Sequence, residues 1–450
     1  MDMRIPKSVE RCISILTCNG YKGYMVGGCV RDSILGKQPN DWDVCTSATP
    51  KEIKNLFKDF KTIDTGIQHG TVTVIIDKEL IEVTTFRIDG EYSDNRRPDK
   101  VTFTDEVKYD LSRRDFTINA MAYNSGEGII DYFYGREDIN NKIIRCVGAP
   151  EKRFQEDALR IMRALRFMAQ LNYRLEKETW LAIENTKGLI KNIAVERIAT
   201  ELNKLILADI PNEAIRIILE LNLFSLIIPE LKTDISTEGM DEKAKDTYGE
   251  IIKNCPKILA VRLSVLLNYL ITGSTGIESS MEIISNEKDI GGEKVSKADI
   301  GEYVLKTLRY DTKTIKEVKI LMDYYDVDIP SEKYGIKIFL KDIGENLFRQ
   351  LLAIKAAENM AYIENKCIQR INKYENVELI LNEIAVNSEC YSKKALKVNG
   401  KDLIELGIRE GALIGKILDM LLDEVIYKPE LNNEYDLKNY AKGFISSKIY

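Results

Sequence analysis

The sequence predicts an α+β protein, with strands over roughly residues 1–150 and an all-helical remainder. Two observations carry this. Short runs rich in Val, Ile, Thr and Phe (WDVCT, GTVTVII, LIEVTTF and VTFT) lie in the first 150 residues, and such residues suit a pleated, half-buried surface. From Glu151 onward apolar residues recur at spacings of three and four, as in LRIMRALRFMAQL, ERIATELNKLI, EAIRIILELNLF and KIFLKDIGENLFRQLLAIKAA. That is the period of a helix with one face buried. The chain has only 10 prolines, which suits long helices.

Taken in chain order, Val30–Leu35 reads as a helix start after Gly27-Gly28, and glycines at 27, 28, 36, 66, 70 and 90 punctuate the strands. Asp89–Pro98 is polar and long for a hairpin connection, and is expected to be a loop. Joints are expected near Ile210-Pro211 and around the Ser-, Gly- and charge-rich stretch 273–300. Gly407, Gly411 and Gly415 precede the apolar run KILDMLLDEVI, where close helix packing is the expected reason for them.

Composition excludes several classes. With 450 residues, 44% hydrophobic and 30% charged, the chain is globular and long enough for two to four domains. No apolar run reaches about 18 residues without a charge, so no membrane span is expected. The start, MDMRIPKSVERC, lacks a signal-peptide core, which points to the cytoplasm. The single histidine, His69, rules out sites built from several histidines, and none of the eight cysteines forms CxxC. Carboxylates, arginines and a bound ion are what remain for catalysis. Net charge is −6. The first 170 residues are balanced, with 26 basic and 26 acidic side chains, and include the run Arg153, Arg160, Arg163 and Arg166. A local basic stripe can hold phosphates on an acidic protein, because screening limits distant charge to about 8–10 Å.

Three constellations carry chemistry. Gly27-Gly28-Cys29-Val30-Arg31-Asp32 is followed by Asp41-Trp42-Asp43-Val44. Carboxylates at i and i+2 on a strand share a face and can hold one or two divalent ions through oxygen. The glycines let backbone amides approach a triphosphate, and Arg31 adds a fork of donors. Second, Arg113-Arg114-Asp115-Phe116-Thr117-Ile118-Asn119 interleaves polar and apolar residues. It suits a ribose or phosphate site, and equally a salt bridge closing a helix start. Third, Asp157, Arg160, Arg163 and Arg166 recur every three residues on an expected helix, where surface salt bridging is the plain alternative.

Asp157 with Arg160 permits a sharper argument. Cytosine and adenine each present a ring-nitrogen acceptor beside an amine donor, whereas uracil and guanine present the opposite polarity. A carboxylate only accepts and a guanidinium only donates. The pair therefore suits C and A, while U or G leaves polar groups unpaired at roughly 1–3 kcal/mol each. His69 is expected to make a structural hydrogen bond. Glu82 reads either as a third metal-side carboxylate or as a solvent-facing strand residue.

Together GGCVRD…DWDV, GIQHGTVTV, IEVTTFRIDGEYSDNRRPD, RRDFTINAMAY, RFQEDALRIMRALRF and VERIATEL resemble the successive motifs of bacterial-type (class II) tRNA nucleotidyltransferases. These form the CCA-adding enzyme and poly(A) polymerase family of the polymerase-β-like nucleotidyltransferase superfamily. The likeness is close over about residues 20–210. Beyond that it is weaker, although NGKDLIELGIREGALIGKILDMLLDEV resembles the family's tail. The resemblance implies a seahorse-shaped fold. A mixed-sheet nucleotidyltransferase head would span 1–150 and a helical, base-recognising neck 151–210. A helical body with an unassigned insertion would span 211–330, and a tRNA-binding helical tail 331–450.

The resemblance also implies that Asp41 and Asp43 are catalytic and bind Mg²⁺. Gly28 and Arg31 would hold phosphates, and Arg114 would contact the nucleotide, with Asp115 and Asn119 near its ribose. Asp157 and Arg160 would recognise C and A, with Arg163 and Arg166 completing the pocket and Glu196 and Arg197 supporting this helix. The implied reaction is attack by the tRNA 3′-hydroxyl on the α-phosphorus of CTP or ATP, adding C, C and A with release of pyrophosphate. The implied partners are tRNA, CTP and ATP, with no membrane.

Two departures from the family matter. RLSVLLNYL loosely resembles a metal-dependent phosphohydrolase segment, but Asn268-Tyr269 stand where His-Asp would be, and no histidine follows His69. The stretch 231–310 matches nothing assignable. Competing readings are an A-adding enzyme of a split system, a poly(A) polymerase, and a non-catalytic tRNA-binding protein. The loop Asp89–Pro98 disfavours a CC-adding variant, and the acidic C-terminal half disfavours a poly(A) polymerase. The intact Asp41 and Asp43 disfavour a non-catalytic role.

Overall fold

The computed structural model describes residues 3–64, 66–92, 98–229, 242–272, 295–361, 367–408 and 411–447. The chain divides into two compact units, Met1–Gly239 with Thr307–Arg309, and Met240–Lys306 with Tyr310–Tyr450.

The first unit opens with α1 (Lys7–Cys18), β1 (Gly23–Val26), α2 (Gly28–Ile34), β2 (Trp42–Thr46) and α3 (Pro50–Leu56). Then come β3 (Lys61–Ile63), β4 (Thr71–Ile76), β5 (Glu79–Thr85), β6 (Arg87–Asp89), β7 (Val101–Phe103) and α4 (Val107–Ser112). β8 (Ala122–Asn124), β9 (Gly128–Ile130) and α5 (Gly135–Asn141) follow. Seven strands form one mixed sheet in the order β3-β4-β5-β2-β1-β8-β9, in which β2 and β5 run parallel. β6 and β7 pair separately.

Alternation builds the core. Val44, Val83 and Val72 stand in register across β2, β5 and β4, all without solvent exposure. One residue along, Asp43, Glu82 and Thr73 form the next row, on the opposite face. Helix α1 buries Val9, Cys12, Ile13 and Leu16, at the spacing of one helical face. At α3 a capping box between Thr49 and Glu52 ties off the first amides.

The chain then becomes mostly helical. It runs through β10 (Ile143–Ile144), α6 (Pro150–Glu156), α7 (Leu159–Leu171), β11 (Arg174–Leu175) and α8 (Lys177–Thr186). It continues with α9 (Val195–Ile206), α10 (Asn212–Glu220) and α11 (Leu223–Ile227). The expectation of purely helical structure after Glu151 misses β11, which pairs in parallel with β10. The expected joint at Ile210-Pro211 is the turn between α9 and α10. Helix α7 packs against α9 and buries residues almost all round, Arg160 and Arg166 included. Those guanidiniums therefore need partners inside the protein.

The second unit is helical throughout its described residues. It contains α12 (Glu242–Asn254), α13 (Leu259–Thr272), α14 (Lys297–Thr307), α15 (Thr312–Asp323), α16 (Lys333–Ala361) and α17 (Cys367–Val386). α18 (Gly400–Glu405), α19 (Gly411–Tyr427) and α20 (Glu434–Ser447) close it. Of the unassigned stretch 231–310, residues 231–241 and 273–294 lie outside the described residues. The described remainder supplies α12, α13 and the start of α14, so the expected irregular stretch 273–300 ends in helix. Arg262, 2% exposed, donates to the carbonyls of Lys253 and Cys255, which closes the end of α12. In the segment RLSVLLNYL, Asn268 and Tyr269 are buried core residues of α13, and Tyr269 stacks on Tyr248.

The glycine expectation is corrected. A Cβ on Gly411 or Gly415 would meet nothing within 4 Å, so neither admits a neighbouring helix. Gly407, at φ +95°, follows α18 in a backbone conformation that side chains disfavour.

Ile81 is fully buried on β5, between Trp42 and Val74 in register. Ile81→Ala is expected to destabilise the first unit by about 2–5 kcal/mol. Urea unfolding followed by circular dichroism measures it.

Candidate active site

All of the expected site residues lie in the first unit. Asp43 occupies β2, half-buried, and Glu82 stands beside it in register on parallel β5. Asp41 is exposed and sits one residue before the strand, rather than on it. Burial pushes the Asp43 carboxyl up to about 6, with Glu82 and Asp41 adding to the shift against the opposing pull of Arg114. Negative charge is thus crowded here on hard oxygen donors, which fits a divalent cation. Among the described residues no three His, Cys, Asp or Glu side chains form a closed metal cage. One or two carboxylates completed by phosphate oxygens and water is the usual arrangement for Mg²⁺.

The turn before α2 brings the second group together. Gly27 has φ +84°, and a Cβ there would sit 2.9 Å from Nη1 of Arg114. Glycine is therefore required twice over, for its backbone angle and for the close approach of Arg114. The Gly27 amide donates to the Met121 carbonyl, so it is engaged within the protein. Gly28 begins α2 and lies near the Arg31 guanidinium. Arg31 is buried. Its Nη1 donates to Asn119 Oδ1 at 2.6 Å and its Nε to Asp32 Oδ1 at 2.8 Å.

Arg114 is held from the other side by Asp110, which is fully buried. Asp110 Oδ2 accepts from Arg114 Nη2 at 3.1 Å, and Oδ1 accepts from Arg113 Nη2 at 2.7 Å. Burial disfavours the Arg114 charge, but Asp110, Cys45 and Asp43 around it raise its pKa overall.

Asp115 begins the third group. Its Oδ1 accepts from the Phe116 amide, and its Oδ2 from Arg163 Nε at 2.8 Å and Nη2 at 2.5 Å. Burial works to raise the Asp115 pKa, but Arg163, Arg160 and the Phe116 amide hold it at about 2. Arg166 pairs with Glu201 at 2.9 Å. Its pKa falls to about 10, through burial and the charges of Arg163 and Arg31.

Asp157 is not on the face of α7. It ends α6 in an extended conformation, φ −148° and ψ 102°, and its Oδ1 accepts from the Leu159 amide. The three-residue spacing that joins it to Arg160, Arg163 and Arg166 thus crosses a helix junction. Arg197 of α9 donates to both Asp157 oxygens, at 3.3 and 2.8 Å. Arg160 is held by Glu156 at 2.8 Å and by the carbonyls of Arg153 and Arg113. Three of its five N–H donors are so used, and about one acceptor position of Asp157 remains. The pair therefore keeps capacity for a base edge.

A cavity of about 760 Å³ lies on this side, lined by Asp89, Tyr92, Arg113, Arg153 and Glu156 among others. It does not reach Asp41 or Asp43. Asp89 accepts from Tyr92 Oη and Arg87 Nε, which ties the start of the Asp89–Pro98 loop to β6. Residues 93–97 of that loop lie outside the described residues. His69 closes a short 3-10 turn, and its carbonyl accepts from Arg87, a backbone role. Sequence reasoning missed Asp110 and Glu201. Asp110 had a signal, since it stands three and four residues before Arg113 and Arg114. Glu201 had none, being far from its partner along the chain.

Folded Asp115 keeps its charge well below the ordinary carboxylate value of 3.8. Its contribution to stability is complete above that value and is lost as pH falls toward about 2. Asp115→Asn is expected to be less stable than the parent at neutral pH, with the gap closing below about pH 4. Urea titrations across that range test this, and a gap independent of pH would overturn it.

The chain matches the poly(A) polymerase head domain over residues 23–145. It also matches the RNA- and SrmB-binding site of polymerase A over 172–235, and tRNA nucleotidyltransferase domain 2 over 294–437. It is 33% identical over 455 residues to a CCA-adding enzyme of Ligilactobacillus salivarius, covering 99% of each. It is 52% identical over 196 residues to a CCA-adding enzyme of Pediococcus pentosaceus, covering 44% of this chain and 49% of that one. The crystal structure of the Bacillus stearothermophilus CCA-adding enzyme in complex with CTP is similar over 98% of both chains, with 27% identity and a TM-score of 0.72.

Proposed function

This chain belongs to the family of CCA-adding enzymes, and on that premise we propose how its side chains divide the work. The enzyme adds C, C and A to the 3′ end of tRNA from CTP and ATP. One observation carries the division of labour. Asp43 feels the charges of Asp41, Glu82 and Arg114, Arg114 lies against Gly27, and Arg163 of α7 meets Asp115 of the same unit.

Asp41 and Asp43 would hold the divalent ion, Mg²⁺ by the hardness of their oxygens. Such an ion, when bound, favours the ionised 3′-hydroxyl and offsets charge on the departing pyrophosphate. Gly28, Arg31 and Arg114 bind the triphosphate, and Asn119 keeps Arg31 turned toward it. Arg163 and Arg166 add positive charge on the α7 side, each oriented by its own carboxylate. The 3′ oxygen forms its bond to the α-phosphorus as the bond from that phosphorus to the bridging oxygen breaks. Asp157 accepts from the amine of C or A, and Arg160 donates to the ring acceptor beside it. Arg197 and Glu156 keep these two groups in place between additions. Among the described residues no helix is long and apolar enough to cross a membrane. Among these residues seven cysteines are free and six of them are buried, which suits a reducing compartment and supports a cytoplasmic location.

Extension assays on tRNAs ending before CCA, after C and after CC test the reading, each with CTP, ATP or both. Completion of all three without a long A tail is expected. Asp43→Ala is expected to lower the rate by about a hundredfold or more, while folding as the parent does by circular dichroism. Arg160→Ala is expected to lose about tenfold or more in preference for CTP over UTP, from roughly 1–3 kcal/mol per unpaired group. Equal loss for all four nucleotides would count against base reading by Arg160.

A further inference from the structure

Phe167 stands among the arginines and has no part in the reading above. Its ring, 4% exposed, lies under three guanidiniums. Arg166 is 4.2 Å from the ring centroid, Arg31 5.1 Å and Arg163 5.5 Å. Each of the three also has its own carboxylate, Asp32 for Arg31, Asp115 for Arg163 and Glu201 for Arg166. A carboxylate holds a guanidinium by one edge and leaves it free to tilt about that edge. An aromatic face fixes the remaining freedom, because the planar cation stacks on it. The ring is itself braced. Phe116 meets it edge-on, with centroids 5.8 Å apart and planes at 82°. The Phe116 amide donates to Asp115, the carboxylate that holds Arg163.

We propose that Phe167 is a positioning residue for the incoming nucleotide, its π face setting the planes of Arg31, Arg163 and Arg166 toward the anionic triphosphate. It joins α2, which carries Arg31, to α7, which carries the other two. The inference rests on the assignment of these arginines to the nucleotide. CTP and ATP share the triphosphate, so the effect of Phe167 falls on both alike and leaves base choice untouched.

Graded fluorination of the ring is the test. Full-length enzyme carrying 4-fluoro-, 3,5-difluoro- or 3,4,5-trifluorophenylalanine at position 167 keeps nearly the same shape while the ring face loses its negative charge. The KM for CTP and for ATP is expected to rise stepwise and together, by about fivefold at the third fluorine, the size of one lost cation–π contact. The kcat and the preference for CTP over UTP are expected to hold, with the Tm falling by no more than about a few degrees. A KM that stays flat across the series, or that rises only together with a loss of kcat or of base preference, would overturn the proposal. Arg31→Lys, measured alongside, separates two failures. If it raises both KM values while the fluorinated series is flat, the ring has no positioning role. If it leaves both unchanged, the arginine assignment fails and the proposal with it.

Discussion

Asp110 has no contact with solvent and stays ionised. Burial works against its charge, and the guanidiniums of Arg113 and Arg114 outweigh that cost. Its two oxygens take different partners, so the arginines diverge. Arg114 turns toward Gly27 and Asp43, while Arg113 lines the cavity and also faces Asp89 at 3.6 Å. In our reading the phosphate side and the base side of the site are therefore set by one carboxylate. Removing a partner from such a buried pair costs about 3–5 kcal/mol, because the remaining charge is left without compensation. Helix α4, which carries Asp110, has six residues and is too short to stand alone. Val107 and Leu111 anchor it in the core with Tyr24 and Phe86.

The same logic of paired charges runs through α7. A chain of net charge −6 holds a nucleotide triphosphate, yet its site is not a bare basic patch. Each arginine that faces the nucleotide in our reading is already bonded to a carboxylate. An arriving phosphate shares these donors rather than meeting free cations. Net charge therefore describes how the protein repels or attracts at a distance, and leaves the chemistry of the site unstated.

Much of this was legible in the sequence, where the signal was local. β4 and β5 show alternation because one face is buried, β2 is read from its β-branched and apolar run, and the predicted limits of all three lie within a residue of the observed ones. β1, β8 and β9 have three or four residues each and too little pattern to be read. Helix α1 lies outside the expected elements, although Val9, Cys12, Ile13 and Leu16 carry a helical spacing. The paired aspartates and the arginine spacing of α7 pointed to the candidate site, since each motif is contiguous. What holds them in place was legible only in part. The resemblance pointed to Arg197 of α9 as a support of this helix, but no local pattern encodes its contact with Asp157, 40 residues away, or that of Glu201 with Arg166. Nor does any glycine or proline beside Asp157 announce that α6 ends there.

That junction bears on how the site could be moved. Residues 153–166 look like a cassette, and Arg160 would carry most of its own support with it, since Glu156 and the Arg153 carbonyl lie inside the segment. Asp157 would not, because its carboxylate is held from α9. Grafted without α9, the segment would present an arginine in register and an aspartate free to swing. In our reading the smallest portable unit for reading C and A therefore runs on to the end of α9, at Ile206. It also needs the stretch from Asp110 to Asn119, which lies against α7.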